Sequence, residues 1–310
     1  MARLAKRDWP RPVLLAGLAI LLLVAAGCGH ANGGAPSGKA LRVVAAENFW
    51  GSIAAQLGGT KTEVVSVITS PATDPHDYEP TAADARTLAG ARLVIVNGIG
   101  YDPWAAKLLA ANQVSGRIVL DVGDLVAIKA GGNPHRWYSP SDVQQVIGAI
   151  VHDYAKLDRT HAAYFAQQQK RFETRSLSQY TQLIASIKRK YHGVPVGASE
   201  SIFAPLAQAL GLKLVTPYSF LKAVSEGTEP TAADKTLIDK QIADRQIKVW
   251  VYNSQNSTPD VKRITDAARK QGIPVTTITE TLAPASASFQ DWQSRQLEAL
   301  AAALAKATGR

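Results

Sequence analysis

The sequence predicts an α/β fold in which two Rossmann-like lobes, each built on a parallel sheet, are bridged by one long α-helix. Three features of the 310-residue chain predict it. Strand-like and helix-like runs alternate from residue 41 onward, the hexapeptide EPTAAD occurs in both halves, and a helical pattern without Gly or Pro lies between them. A chain of this length is sufficient for two lobes with substantial cores.

The first lobe is predicted over residues 41–159, where apolar runs of strand length alternate with helical patterns. The strand-like runs are LRVVAAE, TEVVSVI, RLVIVNG and GRIVLDVGD, and the helical ones are FWGSIAAQLGG, PWAAKLLAANQ and PSDVQQVIGAIVHDYAKL. Apolar runs of this kind are typical of buried parallel strands that helices cover on both faces.

The second lobe, residues 191–310, repeats this order. Its strand-like runs are VPVGASE, KLVTPY, IKVWVYN and IPVTTITE, and the chain ends in the helical pattern FQDWQSRQLEALAAALAKA. The same alternation predicts a second parallel sheet.

EPTAAD occupies residues 79–84 and 229–234, and each copy precedes a helical pattern. Each copy has a threonine at the expected N-cap and an aspartate three residues later, Thr81 with Asp84 and Thr231 with Asp234, which resembles a capping box. The alternative is that a good helix start has been reused by chance. Six identical residues at matching places favour a common architecture in the two halves.

The bridge is predicted at residues 160–190. Apolar residues recur there at intervals typical of a helix: Phe165, Phe172, Leu177, Tyr180, Ile184 and Ile187. A continuous helix over this segment would be about 46 Å long. One stiff helix of that length would limit hinge motion between the lobes.

The N-terminus has the pattern of a secretory signal, predicted over residues 1–27. Four basic residues precede the apolar run PVLLAGLAILLLVAAGC, which is short for a spanning helix. The run ends in AAGC, which resembles the lipobox of bacterial lipoproteins and makes Cys28 the expected lipid attachment site. Residues 28–40 are rich in Gly and Ala and are predicted to be a lipidated tether. The alternative is a plain signal anchor with an incidental cysteine.

Charge and cysteine content exclude several classes of protein. The net charge is +9, and removal of residues 1–27, which hold four basic residues and one acid, leaves +6. The basic residues are spread among acids and form no basic and aromatic stripe, so no nucleic-acid partner is expected. A mild attraction to an anionic membrane is the expected effect of this charge. The single cysteine excludes an intramolecular disulfide.

Four side chains that suit a metal ion follow predicted strands. His76 in DPHDYEP and His135 in NPHRWYSP belong to the first half, and Glu200 in GASESIF and Glu280 in ITETLAP belong to the second. Ligands of open parallel sheets bind beyond the carboxyl ends of the strands, so these side chains are expected to converge between the lobes. The remaining histidines in helical or linker stretches, His152, His161 and His192, are expected at the surface.

Two neutral imidazoles and two carboxylates carry a charge of −2, which matches a divalent cation. Nitrogen and oxygen donors together suit Mn²⁺, Fe²⁺ or Zn²⁺ better than Ca²⁺ or Mg²⁺. Taken singly, each residue has an ordinary alternative: a Pro-His segment is often a solvated turn, and a glutamate at a helix start is favoured by the helix dipole.

Four segments together resemble the cluster A-I substrate-binding proteins of ABC importers for zinc and manganese. They are DPHDYEPTAADARTLAGARLVIVNGIGYDPW, NPHRWYSPSDV, ASESIFAPLAQALGL and TETL, and the similarity extends from about residue 41 to the C-terminus. The resemblance implies two α/β lobes bridged by a long helix, and it implies that His76, His135, Glu200 and Glu280 are the metal ligands. Residues beside the second ligand, Asn133, Trp137 and Ser139, are implied to support it.

The chain departs from the family pattern at several places. Glu200 stands where many zinc-type members have histidine and manganese-type members have glutamate. Glu280 replaces a more usual aspartate, and Ser139 replaces an acid. The histidine-rich loop of many zinc-specific members is absent from VGDLVAIKAGG. These differences favour manganese or iron as cargo, although the Irving–Williams order predicts tight zinc binding as well.

The expected function follows from the resemblance. The protein is expected to be a monomeric, extracytoplasmic, lipid-anchored protein that delivers Mn²⁺ or Zn²⁺, with Fe²⁺ as a further cargo, to an ABC permease and its ATPase. It is not expected to be an enzyme. The alternatives are a surface-anchored metallohydrolase, which the absence of HExxH and GxSxG disfavours, and a binding protein for a metal chelate or cobalamin. An additional adhesive role leaves no mark in the sequence.

Overall fold

The computed structural model describes residues 40–75 and 77–310, and these residues belong to one compact unit. The predicted signal sequence, the tether up to residue 39 and Cys28 lie outside the described residues, as does His76. Within the described residues, no helix combines the length and the apolar character needed to span a membrane.

Eight strands form two four-stranded sheets in which every pairing is parallel. The strands are β1 (Leu41–Glu47), β2 (Thr62–Ile68), β3 (Leu93–Val96), β4 (Ile118–Asp121), β5 (Pro195–Ala198), β6 (Lys213–Leu214), β7 (Val249–Asn253) and β8 (Val275–Ile278). The order is β2-β1-β3-β4 in the first sheet and β6-β5-β7-β8 in the second. The two sheets therefore have the same topology, which confirms the predicted α/β class and the parallel architecture of the halves.

Twelve α-helices connect and cover the strands of the described residues. They are α1 (Asn48–Gly58), α2 (Ala82–Ala89), α3 (Pro103–Ala111), α4 (Val122–Leu125), α5 (Pro140–Leu157), α6 (Ala162–Arg171), α7 (Ser178–Tyr191), α8 (Ala204–Leu210), α9 (Tyr218–Ser225), α10 (Ala232–Ala243), α11 (Pro259–Lys270) and α12 (Phe289–Thr308). Short 3₁₀ turns at Arg136–Tyr138 and Ser201–Phe203 follow two of the predicted metal ligands.

Strand β3 shows why the strands are apolar on both faces. All four residues of LVIV are buried. Leu93 and Ile95 belong to the large core that spans both lobes, whereas Val94 and Val96 belong to a separate cluster with Trp104. Successive side chains of a strand point to opposite faces, so a sheet with a core on each face needs an unbroken apolar run.

Strand β6 is shorter than the run KLVTPY predicts, because only Lys213–Leu214 pair as a strand. Val215 N–H still donates to the Val196 carbonyl, but Ala198 N–H then bonds to the Thr216 hydroxyl instead of a backbone carbonyl. Pro217 follows and has no N–H to donate. The edge strand therefore ends before the proline.

The bridge is helical as predicted, but its hydrogen bonding is not α-helical throughout. Helices α6 and α7 are joined by a π-helical turn over Phe172–Ser176, in which Leu177 N–H donates to the Phe172 carbonyl at 2.9 Å. Phe172 and Leu177 are five residues apart and both are buried. An i→i+5 turn keeps this spacing on one face, whereas an α-helix would rotate one of the two side chains away from the core.

The bridge nevertheless contacts both lobes. Helix α6 packs on α1 and α5 of the first lobe, and α7 packs on α8 and α12 of the second. Helix α12 also reaches back to α1, where the Ser52 hydroxyl accepts a hydrogen bond from Phe289 N–H at 2.9 Å. The bridge and the contact between α12 and α1 therefore both connect the lobes.

Both copies of EPTAAD begin helices as predicted. The Thr81 hydroxyl accepts a hydrogen bond from Asp84 N–H, and the Asp84 carboxylate accepts one from Thr81 N–H, which is the complete capping box. The Thr231 hydroxyl accepts the equivalent bond from Asp234 N–H at 3.1 Å. These caps fix the start of α2 and α10.

Replacing Thr231 with alanine is expected to lower the free energy of unfolding by about 1 kcal/mol, because the N–H of Asp234 loses its acceptor. Thr236→Ala on the same helix is the matched control, since this exposed threonine bonds only to the Ala232 carbonyl within α10. The control is expected to leave the free energy of unfolding nearly unchanged, because the higher helix propensity of alanine offsets the loss of this side-chain hydrogen bond. Urea denaturation of both variants measures the difference, and equal effects would contradict the capping role.

Candidate metal-binding site

Two of the four predicted ligands lie just beyond strands, and a third, His135, lies in the loop between α4 and α5. His135 precedes the 3₁₀ turn Arg136–Tyr138, Glu200 follows β5, and Glu280 follows β8. All three side chains are buried. His135 Nε2 lies 3.5 Å from Glu280 Oε1, which brings one residue from each lobe into contact. The fourth, His76, is outside the described residues.

The orientation of His135 follows from its neighbour Asn133. Asn133 Nδ2 donates to the Ser201 carbonyl at 2.7 Å, so Asn133 Oδ1 is the atom that faces the imidazole. This oxygen accepts from His135 N–H at 3.1 Å and lies 2.8 Å from Nδ1. Because the oxygen can only accept, Nδ1 carries a proton, and in the neutral imidazole Nε2 is then the nitrogen with a lone pair. That is the arrangement in which a histidine binds a metal through Nε2.

Buried residues of the first lobe hold the segment around His135 in place. Asn97 Nδ2 donates to the Pro134 carbonyl at 2.9 Å, and Trp50 Nε1 donates to Asn97 Oδ1 at 3.1 Å. Trp137 meets the His135 ring edge-on, with ring centroids 5.3 Å apart. These contacts fix the ring by packing and by hydrogen bonds from buried groups.

The structure places Ser139 away from the imidazole. Its hydroxyl lies 3.1 Å from the Ser141 hydroxyl at the start of α5. The Nδ1 atom of His135 faces Asn133 and, at 3.5 Å, the Ser201 hydroxyl. Ser201 was not singled out by the sequence.

Glu280 receives hydrogen bonds from both lobes. The Tyr101 hydroxyl donates to Oε2 at 2.9 Å, and Asn253 Nδ2 donates to Oε1 at 2.9 Å. Tyr101 lies at the end of a turn in which Gly98, Ile99 and Gly100 have positive φ. A Cβ atom on Gly98 would lie 2.2 Å from the Asp121 carboxylate, so this turn requires glycine there.

Glu200 is held on one oxygen. Its Oε2 accepts from Asn256 Nδ2 at 3.2 Å and from the Ser225 hydroxyl at 3.4 Å. Its Oε1 is buried and has no hydrogen-bond donor among the described residues. Burial, followed by the charge of Glu280, raises the pKa of Glu200 to about 8, so these two carboxylates oppose each other's ionisation. A cation between them would remove that cost.

Glu200 and Glu280 line the same small cavity. Its volume is about 60 Å³, and its other walls include Thr73, Asp74 and Asn256. Within residues 40–75 and 77–310, no three His, Cys, Asp or Glu side chains already stand close enough to hold a metal ion. The predicted set includes His76, which follows the wall residues Thr73 and Asp74 in the chain.

Sequence reasoning missed the segment NSQN, residues 253–256, which begins at the last residue of β7 and continues beyond it at the same edge of the sheet. Asn253 contacts Glu280, Asn256 contacts Glu200, and Gln255 Oε1 accepts from Thr281 N–H at 3.0 Å. An amide at the end of a predicted strand and two more within the next three residues were the available signal, because ligands bind beyond the carboxyl end of β7 for the same reason as beyond β5 and β8.

A second pair of acids lies in the first lobe. Glu47, at the end of β1, is fully buried, and neither of its oxygens has a hydrogen-bond donor among the described residues. Burial, followed by the charge of the neighbouring Asp102, raises the pKa of Glu47 well above its ordinary value. Only a shared proton could make a hydrogen bond between these two carboxyl groups. Burial also raises the pKa of Asp102, to about 6, although its oxygens accept from Asn97 and Gly98 N–H.

The chain matches one family model and is similar in sequence to several known proteins. The family model for zinc-uptake complex component A, periplasmic (ZnuA) matches residues 43–303. The manganese ABC transporter substrate-binding lipoprotein PsaA of Streptococcus anginosus is 25% identical over 270 residues, which cover 80% of this chain and 82% of the relative. The metal ABC transporter substrate-binding lipoprotein FimA of Streptococcus parasanguinis is 26% identical over 285 residues, covering 84% and 86%.

Solved structures share the fold. A Mn-bound periplasmic metal-binding protein from Candidatus Liberibacter asiaticus superimposes with a TM-score of 0.71 at 18% identity, covering 85% of this chain and 99% of that one. The substrate-binding protein FpvC from P. aeruginosa, in complex with Ni²⁺, gives a TM-score of 0.71 at 22% identity and covers 88% and 99%. These likenesses confirm the two-lobe architecture.

Proposed function

The chain belongs to the family of zinc-uptake complex component A periplasmic proteins, and on this basis we propose that it is the substrate-binding component of an ABC importer for a divalent transition metal. The family is a transport family, and the proposed role is binding and delivery without catalysis. The proposed cargo is Mn²⁺ or Zn²⁺, with Fe²⁺ as a further candidate. Two relatives are named for manganese or metal transport, which supports this cargo class.

One observation carries the proposal. Two buried carboxylates, Glu200 and Glu280, line one small cavity, and His135 Nε2 from the other lobe lies 3.5 Å from the second of them. No lysine or arginine of the described residues forms an ion pair with Glu200. A buried carboxylate without a cationic partner, as Glu200 is among the described residues, is costly, and a bound cation is the simplest compensation.

The proposed ligands are His76, His135, Glu200 and Glu280, two from each lobe. Two neutral imidazoles and two carboxylates supply a charge of −2 and a mixed nitrogen and oxygen set, which suits Mn²⁺, Fe²⁺ and Zn²⁺. Metal binding would require all four in their deprotonated forms, so it would release protons. Residues that would orient these ligands include Asn133 and Trp137.

The size of the cavity supports an ion over a chelate or cobalamin. About 60 Å³ beside Glu200 and Glu280 corresponds to roughly two water molecules. Pockets for molecules of drug size are roughly 300–1,000 Å³, at least about five times larger, and a cobalamin is larger than such a molecule. The proposed cargo is therefore a single ion.

The proposed partners and location complete the assignment. A permease and its cytoplasmic ATPase would receive the metal, and a lipid on Cys28 would hold the protein outside the cytoplasm at the membrane. The similarity to relatives named as lipoproteins supports the anchor. The protein is proposed to act as a monomer.

Competitive titration of residues 40–310, which contain both sheets, tests the proposal. Metal-stripped protein is titrated with Mn²⁺ and Zn²⁺ at neutral pH, and one tight site per chain is the expected result. His76→Ala is expected to remove that site. His161→Ala is the matched control, because the His161 ring also faces an acceptor, Asp158, at 2.7 Å but lies far along the chain at the start of α6. No tight site for either metal would overturn the proposal.

A further inference from the structure

We infer that Asn256 and Ser225 restrict Glu200 to binding the cargo through the single oxygen Oε1, and that this pair biases the site toward Zn²⁺ over Mn²⁺. The inference rests on the proposed function, because it assigns a task to residues that surround the proposed ligand Glu200. Neither residue was singled out by the sequence.

The first step is the hydrogen bonding of Glu200 Oε2. This oxygen accepts from Asn256 Nδ2 at 3.2 Å and from the Ser225 hydroxyl at 3.4 Å. A carboxylate oxygen has two lone pairs, and these two donors compete with a metal ion for them. Oε2 is therefore the less favourable of the two Glu200 oxygens for a metal ion.

Both donors are themselves held in place. Asn256 Nδ2 also donates to the Val224 carbonyl at 3.3 Å, which sets the amide with its nitrogen toward Glu200. The Ser225 hydroxyl oxygen accepts from Ser201 N–H at 3.0 Å and lies 2.8 Å from the Ser201 hydroxyl. The donors therefore belong to a network at the C-terminal end of α9, and Glu200 Oε2 is not held by chance contacts.

The second step concerns the other oxygen. Glu200 Oε1 is buried and has no hydrogen-bond donor among the described residues. The side chain as a whole is only 1% exposed and lines the small cavity shared with Glu280. A buried carboxylate oxygen that lacks a donor in a cavity of this kind is the atom that a cation would bind.

The third step is coordination number. Zn²⁺ is satisfied by about four ligand atoms in a tetrahedral arrangement, whereas Mn²⁺ favours about six, mostly oxygens. Four protein residues supply six ligand atoms more easily when their carboxylates bind the metal through both oxygens. Asn256 and Ser225 oppose that for Glu200, so they counteract the preference for manganese that a glutamate at this position implies.

The test replaces the donors and measures both metals. Asn256→Leu keeps the branched shape of the side chain without the amide, Ser225→Ala removes the hydroxyl, and the double variant removes both donors. Competitive titration of residues 40–310 is expected to show Zn²⁺ affinity about tenfold weaker in the double variant, the lower end of the effect of residues that orient ligands. Mn²⁺ affinity is expected to change less than about threefold, so the Zn²⁺ to Mn²⁺ ratio falls.

A spectroscopic readout separates this role from a merely structural one. X-ray absorption of the Mn²⁺-loaded double variant is expected to show one more oxygen ligand than the unmodified protein. Asn112→Leu is the matched control, because Asn112 Nδ2 bonds only to the Leu108 carbonyl at the end of α3. It is expected to leave both affinities unchanged.

The outcomes are distinct. Equal losses for the two metals, or unchanged affinities in all three variants, would overturn the inference. Ser225→Ala keeps the test decisive if Asn256→Leu does not fold, because it is the smaller change. Glu200→Gln is measured alongside: if that variant also binds both metals normally, the proposed ligand set fails, and if it alone loses metal, only the role of Asn256 and Ser225 fails.

Discussion

Replacing Glu280 with glutamine is expected to weaken the binding of Mn²⁺ and Zn²⁺ at least about 100-fold, which corresponds to about 2.7 kcal/mol. The substitution keeps the shape of the side chain but removes one of the two negative charges of the proposed site. An amide oxygen is a poorer ligand for a transition metal than a carboxylate. The new amide nitrogen would also oppose Asn253 Nδ2, which donates to Glu280 Oε1 at 2.9 Å.

The same substitution is expected to leave the fold intact and to raise the melting temperature of the metal-stripped protein. Glu200 and Glu280 are both buried, and the charge of Glu280 is the second cause, after burial, of the raised pKa of Glu200. Removing one of two opposing carboxylates relieves that repulsion. Substitutions in binding sites commonly increase stability while they reduce binding.

Glu298→Gln is the matched control for this prediction. Glu298 Oε1 accepts from an amide, Gln179 Nε2, at 2.7 Å, which reproduces the contact between Asn253 and Glu280 at a surface position on α12. Its replacement is expected to change neither metal affinity nor melting temperature. Titration and thermal unfolding of both variants check the pair, and Glu280→Gln protein that binds within about threefold of the unmodified protein would remove Glu280 from the ligand set.

Much of the fold was predictable because the signals were local. LRVVAAE and TEVVSVI coincide with β1 and β2, and PSDVQQVIGAIVHDYAKL coincides with α5, which begins at Pro140. Buried parallel strands require unbroken apolar runs, and proline is favoured at the first position of a helix. These requirements are visible in a few consecutive residues.

The structure differs from the prediction where contacts with distant parts of the chain determine the local conformation. The π-helical turn in the bridge forms because Phe172 and Leu177 are both buried in the core, which is built by distant parts of the chain. The only sign of the turn in the local sequence is the spacing of five residues between these two apolar side chains. Strand β6 ends early because Ala198 N–H bonds to the Thr216 hydroxyl, a partner on the neighbouring segment. Periodicity within one segment carries no information about such partners.

The site was predictable to the same extent. The rule that ligands bind beyond the carboxyl ends of parallel strands predicted that His135, Glu200 and Glu280 converge. In the structure His135 contacts Glu280, and Glu200 and Glu280 line one cavity. The amides and hydroxyls around them were not identified, because asparagine and serine are common in loops for other reasons. Their roles became evident from hydrogen-bond distances.

Replacing Glu47 with glutamine is expected to stabilise the protein near pH 8 by at least about 1.4 kcal/mol, the free energy that corresponds to a pKa difference of one between the folded and unfolded states, because glutamine needs no proton to remain neutral when buried. Glu47 faces Asp102 and Tyr101, and neither of its oxygens has a donor among the described residues. Burial and Asp102 raise the pKa of Glu47 in the folded state, whereas the unfolded chain keeps a glutamate pKa of about 4.3. Glutamine does not titrate and keeps nearly the same shape.

The sign of the pH dependence follows from proton binding. Above about pH 4.3 the folded protein holds a proton on Glu47 that the unfolded chain has released, so stability falls as pH rises until the raised pKa of the folded state is passed. Asp102, with its pKa raised to about 6, contributes a similar decline that ends near pH 6. The Glu47→Gln variant and the unmodified protein are therefore expected to be equally stable near pH 4 and to diverge as pH increases.

Urea denaturation at about pH 4.5, 6 and 8, with a chelator present, measures this divergence. Glu63→Gln is the matched control, because Glu63 lies on the neighbouring strand β2, is exposed and pairs with Arg42 at 3.7 Å. Its effect is expected to stay within about 0.5 kcal/mol at every pH. Parallel stability curves for Glu47→Gln and the unmodified protein would mean that the folded state does not hold the extra proton. In that case Glu47 would have to be ionised in the folded protein although neither of its oxygens has a donor among the described residues, and the stabilisation near pH 8 would not be observed.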